Sequence, residues 1–459
     1  MLRQQARAIW EAGVAAVASE RLVRNALRCD DRTLTVCESA FDKKLLDRII
    51  VVGAGKAGAG MAAAVEEALG KELTDKKVTG WVNVPADCIR PLRRIVLHAA
   101  RPAGVNEPTE EGVLGTQRIW GLANGAGPND LVLVLISGGG SALMPAPVPG
   151  ITLADKQAVT RFLMRSGATI QELNAVRKRL SLVKGGRLAR AASKAKAIFS
   201  LIISDVIGDP LDVIASGPTV EDTGTAAEAV AILERFDAHP PEVPQSVFDE
   251  LRLQENFSFG QQKMANSPIE QLAHGITPVV HNHVIGKNAT ALEAAASKAR
   301  ELGFTVMSLG SDNAGEAQAV GRELAELCRQ IRDGQSDLKS LVCVLSGGEP
   351  IVKLVPTYQP RKGGRNQEVA LAALQHLWNQ GLDRIAILSG GTDGEDGPTN
   401  AAGAVVDELL RQTAITQCLD PAEFLAINNS YPFFERTDGL LLTGPTHTNA
   451  MDLRVALVQ

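Results

Sequence analysis

Ile49-Ile50-Val51-Val52-Gly53-Ala54-Gly55-Lys56-Ala57-Gly58-Ala59-Gly60 decides the fold class of this chain of 459 residues. Four consecutive β-branched apolar residues predict a strand buried on both faces. The glycines that follow let the backbone turn tightly and let a ligand approach it closely. Residues 61–69, with their alanines and the Glu66-Glu67 pair, predict a helix. A strand, a glycine-rich turn and a helix N-terminus form an anion site, because free N–H groups and the helix dipole point at the turn. Lys56 adds a full positive charge there. Gly53 and Gly55 are therefore candidate ligand contacts. The alternative is a tight strand-to-helix turn carrying a surface lysine.

Two templates compete for this stretch. Gly53, Gly55 and Gly58 match GxGxxG, which expects an acid about 20 positions on to bond a ribose. The next predicted strand, 79–84, ends at Pro85, and Asp87 lies beyond it. The P-loop template needs four residues between its glycines and then Lys-Ser/Thr, and it fails. What remains is an anion-binding turn armed with a lysine.

The length exceeds what one compact core supports, so two domains are expected. A hydrophobic share of 45% with 43 glycines and 4% aromatics suits an α/β protein rich in strand-loop-helix turns. The net charge of −5 offers no basic stripe for nucleic acid, although local Lys and Arg clusters can still meet an anionic substrate. No apolar run reaches the length of a membrane span. The six cysteines (29, 37, 88, 328, 343, 418) show no CxxC pair and read as free thiols in a reducing compartment. Arg3, Arg7, Arg21, Arg24 and Arg28 give the start a transit-peptide look. Glu11 and Glu20 oppose that, and Ile9, Gly13, Val14 and Val17 form a helical stripe. A folded first helix and a cytoplasmic protein are predicted.

Along the chain, strands at 80–84 and 95–98 precede a helix at 107–123. The strand 131–136 then runs into Ser137-Gly138-Gly139-Gly140-Ser141-Ala142, a second strand-to-glycine turn with hydroxyls to offer. In 170–192, Leu173, Val176, Leu180 and Val183 define a buried helical face. Asn174, Arg177, Ser181 and Lys184 repeat that spacing one residue on, as a polar strip that lines a cleft or faces solvent. The strand 197–204 ends in Ser204-Asp205. An acid placed directly after a buried strand sits where open α/β sheets bind ligands, or else caps the next turn.

From 237 to 276 the pattern dissolves into prolines, amides and serines, and the domain boundary is placed there. The expected division is an N-terminal Rossmann-like domain (1–240), a connecting segment (241–276) and a C-terminal α/β domain (277–459). In the last, strands at 341–345 and 385–388 lead into Ser346-Gly347-Gly348-Glu349 and Ser389-Gly390-Gly391-Thr392-Asp393. Gly363-Gly364-Arg365 opens a helix, and a strand at 440–443 leads into Gly444-Pro445-Thr446-His447-Thr448-Asn449. Lys56, Asp205, Glu349, Arg365, Asp393 and Asp396 are the ionisable residues on these loops. Fixed cations, a few carboxylates and glycine-rich backbone donors are the parts phosphoryl transfer needs. No Cys/His pair, HExxH or zinc spacing offers another chemistry.

The motifs SGGGSAL (137–143), PGITLADKQAVTRFLMRSGATIQELNAVRKRLSLVKGGRLA (149–189), SDVIGDPLDVIASGPT (204–219), GGRNQE (363–368) and SGGTDGEDGPTNAAGAVVD (389–407) together resemble glycerate 2-kinases of the MOFRL-domain family. The resemblance covers nearly the whole chain. It implies transfer of the ATP γ-phosphoryl group to the 2-hydroxyl of D-glycerate with Mg²⁺. The implied fold is two α/β domains with mainly parallel sheets and the active site in the cleft between them. Lys56, Arg365 and Asp205 are the implied catalytic residues; Asp205 and, by our own reading of the SGGTDGEDGP motif, Asp393 are the candidate metal ligands. Gly53, Gly55, Ser137, Gly138, Gly139, Ser141, Asn174, Arg177, Lys184, Gly364 and Thr392 are the expected substrate or nucleotide contacts. Two departures leave substrate contacts open: Ala100-Arg101-Pro102 where bacterial relatives tend to have Gly-His-Pro, and His447 where they tend to have Gly. The competing readings are an NAD(P)H-dependent hydroxypyruvate reductase, which GxGxxG favours, and a non-enzymatic module sensing a nucleotide or sugar phosphate.

Overall fold

The computed structural model describes residues 1–102, 104–105, 107–259, 279–336, 338 and 341–459. Residues 260–276 of the expected connecting segment lie outside them, and 245–259 form a helix, Gln245–Phe259. The chain divides into two compact units. The first comprises Val23–Ile202 and Pro210–Ile285, the second Met1–Leu22, Ile203–Asp209 and Gly286–Gln459.

The first unit opens with a small antiparallel sheet of β1 (Leu27–Cys29), β2 (Thr33–Val36) and β3 (Ser39–Asp42), which the sequence reading did not anticipate. Its main sheet contains β4 (Ile49–Ala54), β5 (Val78–Pro85), β6 (Ile95–Arg101), β7 (Leu131–Ile136), β8 (Ala197–Ile203) and β9 (Val280–Gly286), in the order β6-β5-β4-β7-β8-β9. Every residue of β4 and β7 is buried, as a continuous apolar run in a doubly covered parallel sheet demands. The chain runs outward from β4 to β6, then returns to β7 and runs outward the other way. β4 and β7 are thus parallel neighbours flanking the point where strand order reverses, the place where open α/β sheets bind ligands.

The helix after β4 spans Gly58–Lys77, longer than expected, with a break in helical geometry at Gly70. Thr152 with Asp155 and Thr169 with Glu172 form capping boxes on the helices Leu153–Arg165 and Ile170–Arg179. The predicted continuous helical stripe is corrected here. The second of these helices stops at Arg179, and after a turn through Gly186 (φ +76°) a short helix, Arg187–Ala191, follows. Leu173, Val176, Leu180 and Val183 are nevertheless all buried.

The second unit is built on β10 (Thr305–Ser308), β11 (Val342–Gly348), β12 (Ile385–Gly391), β13 (Gly403–Asp407), β14 (Leu440–Leu441) and β15 (Asp452–Val458), ordered β10-β11-β15-β12-β13-β14. Its sheet is mixed rather than mainly parallel: β10 and β11 pair parallel, while the other pairings are antiparallel. The cause is β15, which inserts between β11 and β12 against their direction. Side-chain alternation splits β15 between two cores. Leu453, Val455 and Leu457 pack with Trp10 and Ala295, and Ala456 and Val458 pack with Ala370, Leu374 and Phe433.

The first helix, Leu2–Ala16, belongs to this second unit and not to the expected 1–240 domain. Its stripe of Ala6, Ile9, Trp10 and Gly13 is buried. Trp10 Nε1 donates to Gly390 O at 3.2 Å, and Arg3 makes a two-point pair with Asp407 at 2.8 and 2.7 Å. The apolar face of β15 and β12 needs a cover, and this helix supplies it.

Candidate active site

In the first unit the glycine turns after β4 and β7 interlock. Lys56 N donates to Gly138 O at 2.9 Å, Ala57 N to Ser137 Oγ at 3.0 Å, and Gly55 N to Asn83 O at 3.2 Å. A Cβ on Gly55 would lie 2.0 Å from Ser137 Oγ, so only glycine permits this approach. Gly53 is held as tightly, with Leu135 O 2.0 Å from where a Cβ would sit. Gly139 adopts φ +76°, and the guanidinium of Arg101 and the stem of Lys56 come within 3.5 and 3.6 Å of its missing Cβ. Two cations therefore flank one bare stretch of backbone. One is the predicted Lys56, the other the departure residue Arg101.

A second cluster centres on Ser141. Its Oγ accepts from Lys184 Nζ at 2.6 Å and from Arg177 Nη2 at 2.9 Å. With both lone pairs engaged, its own proton goes to Ser216 Oγ at 2.9 Å, and Ser216 donates onward to Asn174 Oδ1 at 3.1 Å. The predicted Ser141, Asn174, Arg177 and Lys184 are thus brought together, although the helix bearing the first part of the strip ends before Lys184. Lys184 is 1% exposed. Burial, then its neighbours Arg177, Lys156 and Lys178, holds its pKa well below the ordinary lysine value. No carboxylate pairs with Lys156, Arg177 or Lys184 among the described residues. An anionic ligand would supply the counter-charge that this buried basic group lacks.

In the sequence Ser216 stands only inside the stretch 204–219, with nothing to single it out. Its backbone carried a signal only the structure shows: Ala215 and Ser216 both adopt positive φ, +51° and +62°, a strained arrangement for side-chain-bearing residues that tends to mark functional sites.

In the second unit, Arg365 opens the helix Arg365–His376. It donates from Nε and Nη2 to Asp452 at 2.7 and 3.1 Å, and from Nη1 to Glu349 at 2.6 Å. Burial opposes the Arg365 charge, but Asp452 and Glu349 outweigh it and raise its pKa. Burial pushes the Glu349 carboxyl up, and Arg365 pulls it back. Asp396 caps the same helix from outside it, accepting from Asn366 N at 2.9 Å and Gln367 N at 2.8 Å. Burial raises its pKa to about 7. Gly364 packs directly on Asp396, whose backbone lies 2.4 Å from its missing Cβ.

Asp452 and Arg454 were not singled out from sequence, because the strand that carries them was not predicted. The available signal was alternation: in Asp452-Leu453-Arg454-Val455-Ala456-Leu457-Val458 the two charges fall on one face. Thr392 is fully buried. Its hydroxyl donates to Met451 O at 2.7 Å and accepts from Ala450 N at 2.8 Å, so its bonding is spent on bracing the start of β15.

The loop 444–449 reaches both predicted metal ligands. Thr446 N donates to Asp393 O at 3.2 Å, and Asn449 Nδ2 donates to Asp205 Oδ2 at 3.1 Å. Both carboxylates are half-buried. Among the described residues no group of three or more His, Cys, Asp or Glu could hold a metal by itself. The chemistry of the donor set fits Mg²⁺ even so, since that ion commonly takes one or two carboxylates and completes its shell with phosphate and water.

Residues 5–252 match the model of a domain of unknown function, DUF4147, and residues 342–452 match the MOFRL family. A D-glycerate 2-kinase of Thermotoga maritima is 35% identical, covering 92% of this chain and 93% of its own length. A crystal structure of glycerate kinase from the same organism superposes with a TM-score of 0.80 at 34% identity, covering 100% of this chain and 99% of that one. This chain belongs to the MOFRL-domain glycerate kinase family. A protein named putative hydroxypyruvate reductase in Agrobacterium vitis is 40% identical, covering 90% of this chain and 87% of its own length.

The structure bears on that second name. A dinucleotide fold of this glycerate kinase family's first unit would need an acid at the carboxyl end of β5 to hold a ribose. Asn83 stands near that end, wholly buried, its amide donating to Leu143 O at 2.8 Å and to Gly112 O and Thr116 Oγ1 at 3.3 Å. Asp87 lies beyond the strand in an exposed turn.

Proposed function

We propose that this protein is an ATP-dependent kinase that phosphorylates the 2-hydroxyl of D-glycerate, giving 2-phosphoglycerate. Family membership sets the reaction class. The observation that carries the reading to residues is Arg365, a cation fixed at the carboxyl ends of the β11 and β12 strands by a fully buried aspartate. Such a preorganised donor stabilises charge that develops on a transferring phosphoryl group. Lys56, on the interlocked glycine turns, has the same role. Gly53 and Gly55 let the two turns close on each other, Gly138 and Gly139 offer backbone to an anion beside Lys56 and Arg101, and the Ser141, Asn174, Arg177 and Lys184 group offers basic and polar contacts for ATP phosphates or the glycerate carboxylate.

Asp205 and Asp393 would hold Mg²⁺. When bound, that ion neutralises phosphate charge and helps to orient the nucleotide. Whichever of the two aspartates is not fully engaged by the metal would accept the hydroxyl proton. The free thiols of all six cysteines suit a reducing, cytoplasmic setting. Small molecules are the expected partners, with neither nucleic acid nor membrane, and no helix among the described residues is long and apolar enough to cross a membrane.

The test offers the purified protein glycerate with ATP, and hydroxypyruvate with NADH. ATP consumption that needs both D-glycerate and Mg²⁺, with NADH absorbance constant, is the expected result. Metal-independent NADH oxidation would replace the kinase reading with the reductase.

A further inference from the structure

Arg365 meets two carboxylates in very different surroundings. Asp452 is 0% exposed and grips the guanidinium by two bonds, from Nε and Nη2. It opens β15 opposite Gly348 and Gly391, positions with no side chain to crowd the pair. Asn288 Nδ2 donates to its carbonyl at 2.9 Å, so Asp452 cannot shift without disturbing the sheet. Glu349 has a side chain 41% exposed and follows the last residue of β11. It holds Arg365 by one bond to Nη1, its one hydrogen bond among the described residues.

We propose that these carboxylates have separate jobs: Asp452 is the permanent positioning residue of Arg365, and Glu349 is a tethered stand-in for a substrate anion that leaves Nη1 when the anion arrives. This rests on the reading of Arg365 as a charge-stabilising donor. The exchange is chemically even, since a carboxylate or phosphate oxygen replaces a carboxylate oxygen on the same N–H. The guanidinium stays aimed throughout, because the Nε and Nη2 edge never lets go of Asp452. A tethered competitor lowers apparent affinity by the fraction of time it occupies the slot. Glu349 therefore sets the substrate concentration range in which the site fills, and Asp452 sets the rate once it is filled.

The experiment uses the full chain, with inorganic phosphate as the probe in calorimetry and with steady-state kinetics alongside. Glu349→Gln should bind phosphate about three- to tenfold more tightly, matching a slot closed most of the time, and should lower KM for an anionic substrate. Asp452→Asn should act in the opposite sense, with kcat reduced on the order of 10²-fold. In an Arg365→Lys background the gain from Glu349→Gln should vanish, because an ammonium held by Asp452 has no second edge to offer. Unchanged or weaker phosphate binding in Glu349→Gln overturns the proposal, as does a gain that survives Arg365→Lys. Should Asp452→Asn fail to fold, the Glu349→Gln result alone decides. Normal kcat in Arg365→Lys would instead count against the catalytic reading of Arg365, while the calorimetric comparison still tests the exchange.

Discussion

Lys56 and Arg365 are both fixed cations, but their supports differ, and so do the consequences of removing them. Lys56 is a half-buried side chain on a turn whose backbone bonds do not depend on it. Lys56→Ala should lower kcat on the order of 10²–10³-fold with a melting temperature close to that of the parent. Arg365→Ala should lose comparable activity and also stability, about 3–5 kcal/mol, because Asp452 would remain buried without its counter-ion. Arg365→Lys keeps the charge but not the two-edged fork, so its loss should fall on kcat and spare the fold. Near-normal kcat/KM in Lys56→Ala and Arg365→Lys would reduce both residues to structural charges.

Lys156 gives a prediction of stability at the same scale. It is buried, its Nζ donates to Leu180 O at 2.8 Å, and burial, then Arg177 and Arg187, lowers its pKa to about 7. A depressed lysine contributes stability that is present above the unfolded pKa and lost as pH falls through the folded one. The wild-type protein should therefore lose stability between about pH 10.5 and pH 7. Lys156→Met removes the titration, and Leu180 O keeps its bond from Val148 N. The variant should gain on the wild type as pH falls from 10 to 6, by an amount on the order of 1–4 kcal/mol. Denaturant titrations at several pH values measure this, and a difference independent of pH would refute it.

At the scale of elements, the loops after the strands decide both chemistry and legibility. The loop 444–449 meets Asp205 at its carboxylate, through Asn449 Nδ2, and Asp393 at its backbone carbonyl, through Thr446 N, while the Asp393 carboxylate accepts from Glu395 N at 3.1 Å. Asn substitution keeps shape and removes charge. If Asp205 and Asp393 divide the work, one variant should recover activity in excess Mg²⁺, having lost a ligand, and the other should not, having lost the proton acceptor. Unchanged kinetics and metal affinity in both would return them to turn capping. Elements announced by long apolar runs into glycine, such as β4, β7, β11 and β12, could be read directly. β13 and β15 could not, since Gly403–Asp407 is short and Asp452–Val458 carries two charges on its inner face. Asp452 pairs with Arg365, and Arg454 Nε donates to Ser346 Oγ at 3.2 Å, partners more than 85 residues away. No local pattern reports them.

On the scale of the whole molecule, local signals gave two α/β units but not which segments compose each. The stripe of the first helix identified an amphipathic helix, yet nothing in it said that its partner would be the sheet built from strands between residues 305 and 458. The parallel sheet of the first unit followed from unbroken apolar strands separated by helices. The mixed sheet of the second depends on the last strand returning between two earlier ones, a long-range choice. Candidate residues came together where they sat on strand ends, as Lys56 and Ser137 do. Asp452, Ser216 and Arg101 needed the fold to reveal their surroundings.

The central question for the whole molecule is which hydroxyl of a small hydroxy acid receives the phosphoryl group. With the carboxylate of glycerate anchored on a fixed cation, the adjacent 2-hydroxyl lies one carbon nearer to the bound phosphates than the terminal one. In-line transfer demands near-attack geometry, so that carbon matters. The most direct measurement supplies the purified protein with ATP, Mg²⁺ and D-glycerate and couples it to enolase in the absence of phosphoglycerate mutase. Immediate appearance of phosphoenolpyruvate is the result expected of a 2-kinase. A signal that appears only after mutase is added would show transfer to the 3-hydroxyl and contradict the account.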